Sequence, residues 1–182
     1  MLFRSRPEAK ETIEHLRRKG LSVVLLTGDA DGPAAYVANE LELDGWHAGL
    51  KPEDKMALIT QMQKEGVQVA MLGDGINDAP ALAAANVGIA MGSGTDIAME
   101  TAGVTLMRSG IAPLADAVSL AQSTLGNIRQ NLFFAFVYNG LGVPIAAGLL
   151  YPIAGVRLNP MFAALAMSLS SISVILNALR LR

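Results

Sequence analysis

Between residues 8 and 107 the chain switches repeatedly between helical and strand-like spacing of its apolar positions. Ala9, Ile13 and Leu16 recur at helical intervals within Glu8 to Lys19, and Gly20 closes that segment. Leu21 to Leu26 is a continuous apolar run, as a buried parallel strand should be, and it ends at Thr27-Gly28-Asp29. A helix is predicted over Ala34 to Leu43, a short extended piece over His47 to Leu50, and a helix over Pro52 to Glu65 with proline in its first turn. Val67 to Leu72 is the next strand. Asn77 as a cap and Pro80 as a first-turn proline then open another helix. Further strands are predicted at Val87 to Ala90 and Val104 to Met107. Strands alternating with helices predict an α/β fold, a doubly wound parallel sheet with ligands at the carboxyl ends of its strands.

The pattern changes after a long helix predicted over Ile111 to Gln130. From Asn131 to Val156 the only ionisable groups are tyrosine phenols, and Leu158 to Leu179 is again uncharged. Each stretch exceeds the ~20 residues that span a bilayer, so a two-helix transmembrane hairpin is expected over 126–182, after a soluble domain over 1–125. Arg129 precedes the first span while Arg180 and Arg182 follow the second, which places both termini on the cytoplasmic side of a plasma membrane; Arg157 in the loop opposes this weakly. Arg4, Arg6, Glu8, Lys10 and Glu11 interrupt every apolar run near the N-terminus, so no secretory signal is visible. A net charge of -2 spread over a mixed-charge sequence implies no nucleic-acid partner, and the absence of cysteine excludes disulfides and thiolate metal sites within the chain.

Candidate chemistry gathers at strand ends. Gly73-Asp74-Gly75-Ile76-Asn77-Asp78-Ala79-Pro80 sets two carboxylates and an amide on a glycine-flanked turn. Two acids so close would raise each other's pKa unless a cation or a lysine compensates, which points to Mg²⁺ or an ammonium group. At Thr27-Gly28-Asp29 a hydroxyl and a backbone N–H are positioned to bind a phosphoryl oxygen. Lys51-Pro52-Glu53-Asp54-Lys55 opens a helix with a run of charge, which by itself is most simply a solvated helix start.

The run Gly73 to Pro80, continued in register by Val87-Gly-Ile-Ala-Met-Gly-Ser-Gly-Thr-Asp96, resembles the hinge motif of P-type ATPases, ion pumps whose phosphorylation domain has the haloacid-dehalogenase-like fold. The resemblance implies that Thr27 and Gly28 hold the transferred phosphate with Asp29 near the nucleotide, and that Lys55 neutralises phosphoryl charge and can pair with a hinge carboxylate, Asp78 being the candidate. It also makes Asp74 a direct Mg²⁺ ligand, Asn77 a phosphate contact and Asp78 a supporting carboxylate. Tyr138-Asn139 in the first span and Met167-Ser-Leu-Ser-Ser171 in the second resemble the Cu(I) or Ag(I) subgroup. Soft Cu(I) suits a thioether beside hydroxyl and amide groups, so Tyr138, Asn139, Met167 and Ser171 are the candidate metal path. Ser168, Ser170, Ser171 and Ser173 have a plainer explanation in close helix packing.

No Asp-Lys-Thr-Gly-Thr and no Cys-Pro-Cys occurs in the chain, and Phe3 stands where the family has an acidic residue before Arg6-Pro-Glu-Ala9. The resemblance therefore implies the C-terminal part of a Cu(I)-exporting pump coupling aspartyl-phosphate turnover to translocation. Its partners are lipid, the metal ion, and the remainder of the pump: actuator, nucleotide domain and earlier helices. ATP would bind outside this chain. Two alternatives stay open. Asp29-Ala30-Asp31 also resembles the nucleophile motif of a membrane-anchored haloacid-dehalogenase phosphatase, and a non-catalytic Mg²⁺-binding fragment that needs a partner fits the same residues.

Overall fold

The computed structural model describes residues 7–108, 110–146 and 160–181. They divide into two compact units, Met1–Val118 and Ser119–Arg182.

In the first unit, helices α1 (Pro7–Arg18), α2 (Asp31–Glu40), α3 (Pro52–Lys64), α4 (Ala79–Ala84) and α5 (Asp96–Thr101) alternate with strands β1 (Val24–Leu26), β2 (Gly45–His47), β3 (Ala70–Gly73), β4 (Val87–Met91) and β5 (Val104–Leu106). Every strand pairing is parallel, as helical crossovers require. The strands nevertheless form two separate sheets, β1-β2 and β3-β4-β5, rather than one. Ile59, Met71, Ala81, Leu82, Ala90 and Ala98 make the core, and Leu26 of β1 packs against it. Small residues on β4, α4 and α5 let those elements approach closely, while Ile59 and Leu82 fill the space between them.

Several boundaries differ from expectation for local reasons. Strand β1 starts at Val24, since Gly20 closes α1 at φ 79° and Leu21 is still returning to the helix through its N–H to the Leu16 carbonyl. Helix α2 starts three residues early, because Pro33 lies in the first turn, where its missing N–H costs nothing. Strand β2 pairs through Gly45–His47 and not His47 to Leu50, because Gly49 turns the chain at φ 65°. Val67 belongs to the exit from α3, where its N–H binds the Met62 carbonyl, so β3 begins at Ala70. Asn77 is not a helix cap: it sits in a single 3-10 turn, Ile76–Asp78, that leads into α4, with Pro80 in the first helical turn as expected. Helix α5, capped by the Thr95 hydroxyl, was not expected.

Helix α6 (Ala112–Ala146), which belongs to the second unit from Ser119 on, runs without interruption past Gln130 and has Pro144 near its end. Helix α7 (Pro160–Ala178) follows, closed by a 3-10 turn at Leu179–Leu181. Among the described residues no helix is long and apolar enough to cross a membrane. The two expected spans, 131–156 and 158–179, both run into residues 147–159, and that stretch, Arg157 included, lies outside the described residues.

Candidate functional site

Strand β1 delivers Thr27 at its carboxyl end, and strand β3 delivers Asp74 at its own. The Thr27 backbone is locked on both sides: its N–H donates to the His47 carbonyl at 3.0 Å and its carbonyl accepts from Leu50 N–H at 3.0 Å. The Thr27 hydroxyl accepts from Asp29 N–H at 3.1 Å, which leaves its own proton free to donate. Gly28 is exposed beside it, and a Cβ there would stand 3.3 Å from the Leu50 carbonyl oxygen. Asp29 is exposed, with its backbone held by Gly49 N–H.

Leu50 leads directly into α3. Its first turn is fixed by the Asp54 carboxylate, which accepts from Lys51 N–H at 3.0 Å. One turn on, the Lys55 ammonium donates to Asp78 Oδ1 at 2.7 Å, and both side chains are largely buried, 13% and 14% exposed. The expected pairing of Lys55 with Asp78 is therefore present, and the lysine is the cation that compensates the second hinge carboxylate. Asp78 is pressed on its other side against Gly73, where a Cβ would stand 2.7 Å from Asp78 Cβ and 3.0 Å from its Oδ2. Only glycine leaves room for that carboxylate at the end of β3.

Asp74 and Asn77 are exposed. The Asp74 backbone carbonyl accepts from Thr95 N–H at 3.0 Å, and Gly94 lies so close that a Cβ there would be 2.6 Å from the Asp74 oxygen. Thr95 in turn caps α5 by accepting from Ala98 N–H at 3.4 Å. The second half of the hinge motif thus clasps the first, a role for Gly94 and Thr95 that sequence reading missed. The in-register continuation through Asp96 was its signal; without α5 there was no reason to fold that loop back onto Asp74. A continuous path of contacts therefore runs from Thr27 through Leu50, Lys51, Lys55 and Asp78 to Gly73 and Asp74. Among the described residues no group of three or more His, Asp or Glu side chains could hold a metal ion. An exposed carboxylate with a pinned backbone, flanked by glycine and one amide, suits a hard cation that keeps most of its waters, as Mg²⁺ does.

The candidate metal-path residues fall in the second unit. The Ser173 hydroxyl donates to the Leu169 carbonyl at 2.9 Å, so at 3.4 Å the Tyr138 hydroxyl is the donor to Ser173. Tyr138 therefore meets Ser173. Asn139 is exposed, as is Ser171, which has a partner of its own. The Met167 backbone lies in α7, and its side chain falls outside what the structure describes.

A family model for a haloacid dehalogenase-like hydrolase matches residues 2–86. A copper-exporting P-type ATPase of Legionella pneumophila is 55% identical over 94% of this chain and 23% of its own length. A silver exporting P-type ATPase of Salmonella typhimurium is 56% identical over 94% of this chain and 21% of its own. Among solved structures, a zinc-transporting PIB-type ATPase in an E2.Pi state superposes with a TM-score of 0.85 at 41% identity, covering 98% of this chain and 28% of that one. The fold is accordingly haloacid-dehalogenase-like. The chain spans less than a quarter of the length of these two curated relatives.

Proposed function

We propose, starting from a chain that aligns over nearly its whole length with part of copper- and silver-exporting P-type ATPases, that it is the C-terminal portion of a Cu(I) or Ag(I) export pump. Residues 1–125 form the C-terminal part of the phosphorylation domain and 126–182 the last two membrane helices. The observation that carries this reading is the buried Lys55–Asp78 pair beside Asp74, held at the end of β3 by Gly73.

In this reading Asp74 holds Mg²⁺, with Asp78 behind it. When bound there, the ion would supply positive charge to offset that of a phosphoryl group. Thr27 offers its hydroxyl proton and Gly28 its backbone N–H to the phosphoryl group, with Asp29 near the nucleotide. Asn77 contacts the phosphoryl group through its amide. Lys55 keeps Asp78 neutralised and brings a fixed cation to the same edge. The aspartate that accepts phosphate from ATP belongs to the rest of the pump, with the actuator and nucleotide domains. Two features support such a partner: β1 and β3 each have one edge with no strand among the described residues, and those edges end at Thr27 and Asp74. A strand supplied from outside would bring its terminal side chain between them.

Lipid and neighbouring helices cover α6 and α7, which expose Phe133, Phe136, Leu141, Ile175 and Leu176 at 59–73%. Tyr138, Asn139, Met167 and Ser171 line the metal path, and both termini lie on the cytoplasmic side of the plasma membrane. The phosphatase alternative built on Asp29 is less well supported, since the similarity to the copper- and silver-exporting pumps runs on through α6 and α7. The test is complementation. A copper-exporting relative truncated to lack the matching segment, co-expressed with this chain, is expected to regain copper tolerance and Mg²⁺-dependent ATP hydrolysis. Asp74→Ala in this chain is expected to abolish both. Co-purification of the two parts without either activity refutes the proposal.

A further inference from the structure

Three asparagines at the α6–α7 contact are unexplained by phosphoryl chemistry or by the metal path. Asn127 and Asn177 are among the few buried polar residues described, at 8% and 7% exposure. The Asn127 amide donates to the Asn177 backbone carbonyl at 2.6 Å. That carbonyl is in the last turn of α7, where carbonyls run short of intrahelical partners, so α6 helps to cap the end of α7. A carbonyl only accepts, and this fixes the direction of the remaining bonds. Asn127 spends its N–H₂ there and must receive at Oδ1, which it does from Asn131 Nδ2 at 2.9 Å. Asn131 then receives at its own Oδ1 from Asn177 Nδ2, also at 2.9 Å. The three side chains close a ring that crosses between the helices twice.

Seven residues beyond Asn131 on the same face of α6 is Tyr138, and four residues before Asn177 on the same face of α7 is Ser173. The tyrosine–serine contact is thus the next rung of the polar seam that the asparagines begin. Most of the remaining residues of α6 and α7 are apolar, and apolar side chains have no directed bonds to oppose a one-turn slip. A ring of directed bonds does not survive such a slip, because each amide would face a carbon.

We propose that Asn127, Asn131 and Asn177 are a register lock for α6 and α7, and that they act as positioning residues for Tyr138. The second half rests on the metal-path reading above; the lock itself does not. Replacing one asparagine leaves a donor or acceptor on each neighbour without its present partner, whereas replacing all three with leucine removes the directed bonds together.

The absence of native cysteine makes thiol cross-linking a direct measure of register. In the full chain in lipid nanodiscs, Tyr138→Cys is paired in turn with Leu169→Cys, Ser173→Cys or Leu176→Cys and treated with a short bifunctional thiol reagent. These changes remove the tyrosine–serine bond, so register then rests on the asparagines. With the ring intact, the 138/173 product should exceed each of the others about tenfold. In the Asn127→Leu, Asn131→Leu, Asn177→Leu background that preference should fall to about threefold or less, with helix content unchanged by circular dichroism. An unchanged preference overturns the proposal. Asn131→Leu alone is the second arm, since it opens the ring while leaving Asn127 on the α7 end; a full preference there overturns the proposal even if the triple variant does not assemble. Silver titration of the otherwise unmodified chain separates the two readings: intact register without silver uptake removes the metal path and leaves the lock standing.

Discussion

Removing the charge of Lys55 while leaving Asp78 in place is the sharpest perturbation of the site. The two groups meet at 2.7 Å with 13% and 14% of their side chains exposed, so solvent screens them little. With an effective dielectric constant of about 20, the attraction at that distance is about 6 kcal/mol, opposed by a desolvation cost of several kcal/mol for each ion. The net worth of the pair is therefore small, but the cost of breaking it is not. Lys55→Met leaves a carboxylate wedged against Gly73 with no counter-charge and is expected to destabilise by about 2–3 kcal/mol, below the range for fully buried pairs and above that for exposed ones. Asp78→Asn preserves shape and should cost about 1–2 kcal/mol. The double variant should recover part of the loss, giving a coupling of about 1–2 kcal/mol. Urea unfolding followed through Trp46, the sole tryptophan, reads these differences as midpoint shifts of about 1 M. A coupling below about 0.5 kcal/mol would mean that the pair is a passive contact and that the electrostatic account of the site is wrong.

Gly94→Ala places a Cβ 2.6 Å from the Asp74 carbonyl oxygen and 2.8 Å from that of Met91, so the loop before α5 must lift away. Mg²⁺ affinity measured by isothermal titration is expected to fall roughly tenfold or more; unchanged affinity would show that the Thr95 clasp does not position Asp74. At the far side of the first unit, Asp44 is held below the ordinary carboxylate value of 3.8 by the Val23 N–H that it accepts and then by Arg17. Its depressed value means that its contribution is fully present above about pH 4 and is lost as pH falls through the folded value. The Asp44 carboxyl resonance should therefore titrate with a midpoint under 3.8, and Val23 amide protection should drop over the same range. Loss of protection at pH 5–6 would contradict this. Lys10 and Glu42 are shifted in the stabilising directions by their mutual bond, so their contact should persist between the two values.

The placement of the candidate residues in the first unit was legible in the sequence because it depends on adjacency. Asp74, Asn77 and Asp78 share one turn, and Thr27 and Lys55 each follow a strand end or helix start that local punctuation marks. The element types were legible for the same reason: apolar runs, glycines and first-turn prolines act within a few residues of one another. The Lys55–Asp78 pair could be named in advance because the resemblance singled out Lys55 and the hinge offered only two carboxylates to pair with it.

Only the tertiary structure decided what depends on distant segments meeting. The clasp of Thr95 on Asp74 joins two loops 21 residues apart, and α5, too short for a periodic signal, is what aims it. The separation of β1-β2 from β3-β4-β5 is a matter of which backbones exchange hydrogen bonds, a property no apolar run encodes. Asn127, Asn131 and Asn177 look like ordinary polar residues at the ends of apolar stretches until α6 and α7 pack and their amides bond to one another, with Arg180 adding a longer bond to Asn177 Oδ1. Local composition thus fixed which elements form and which groups they present. The pairing of those groups was fixed by burial, which makes an unsatisfied charge or amide costly enough to select one arrangement over its neighbours.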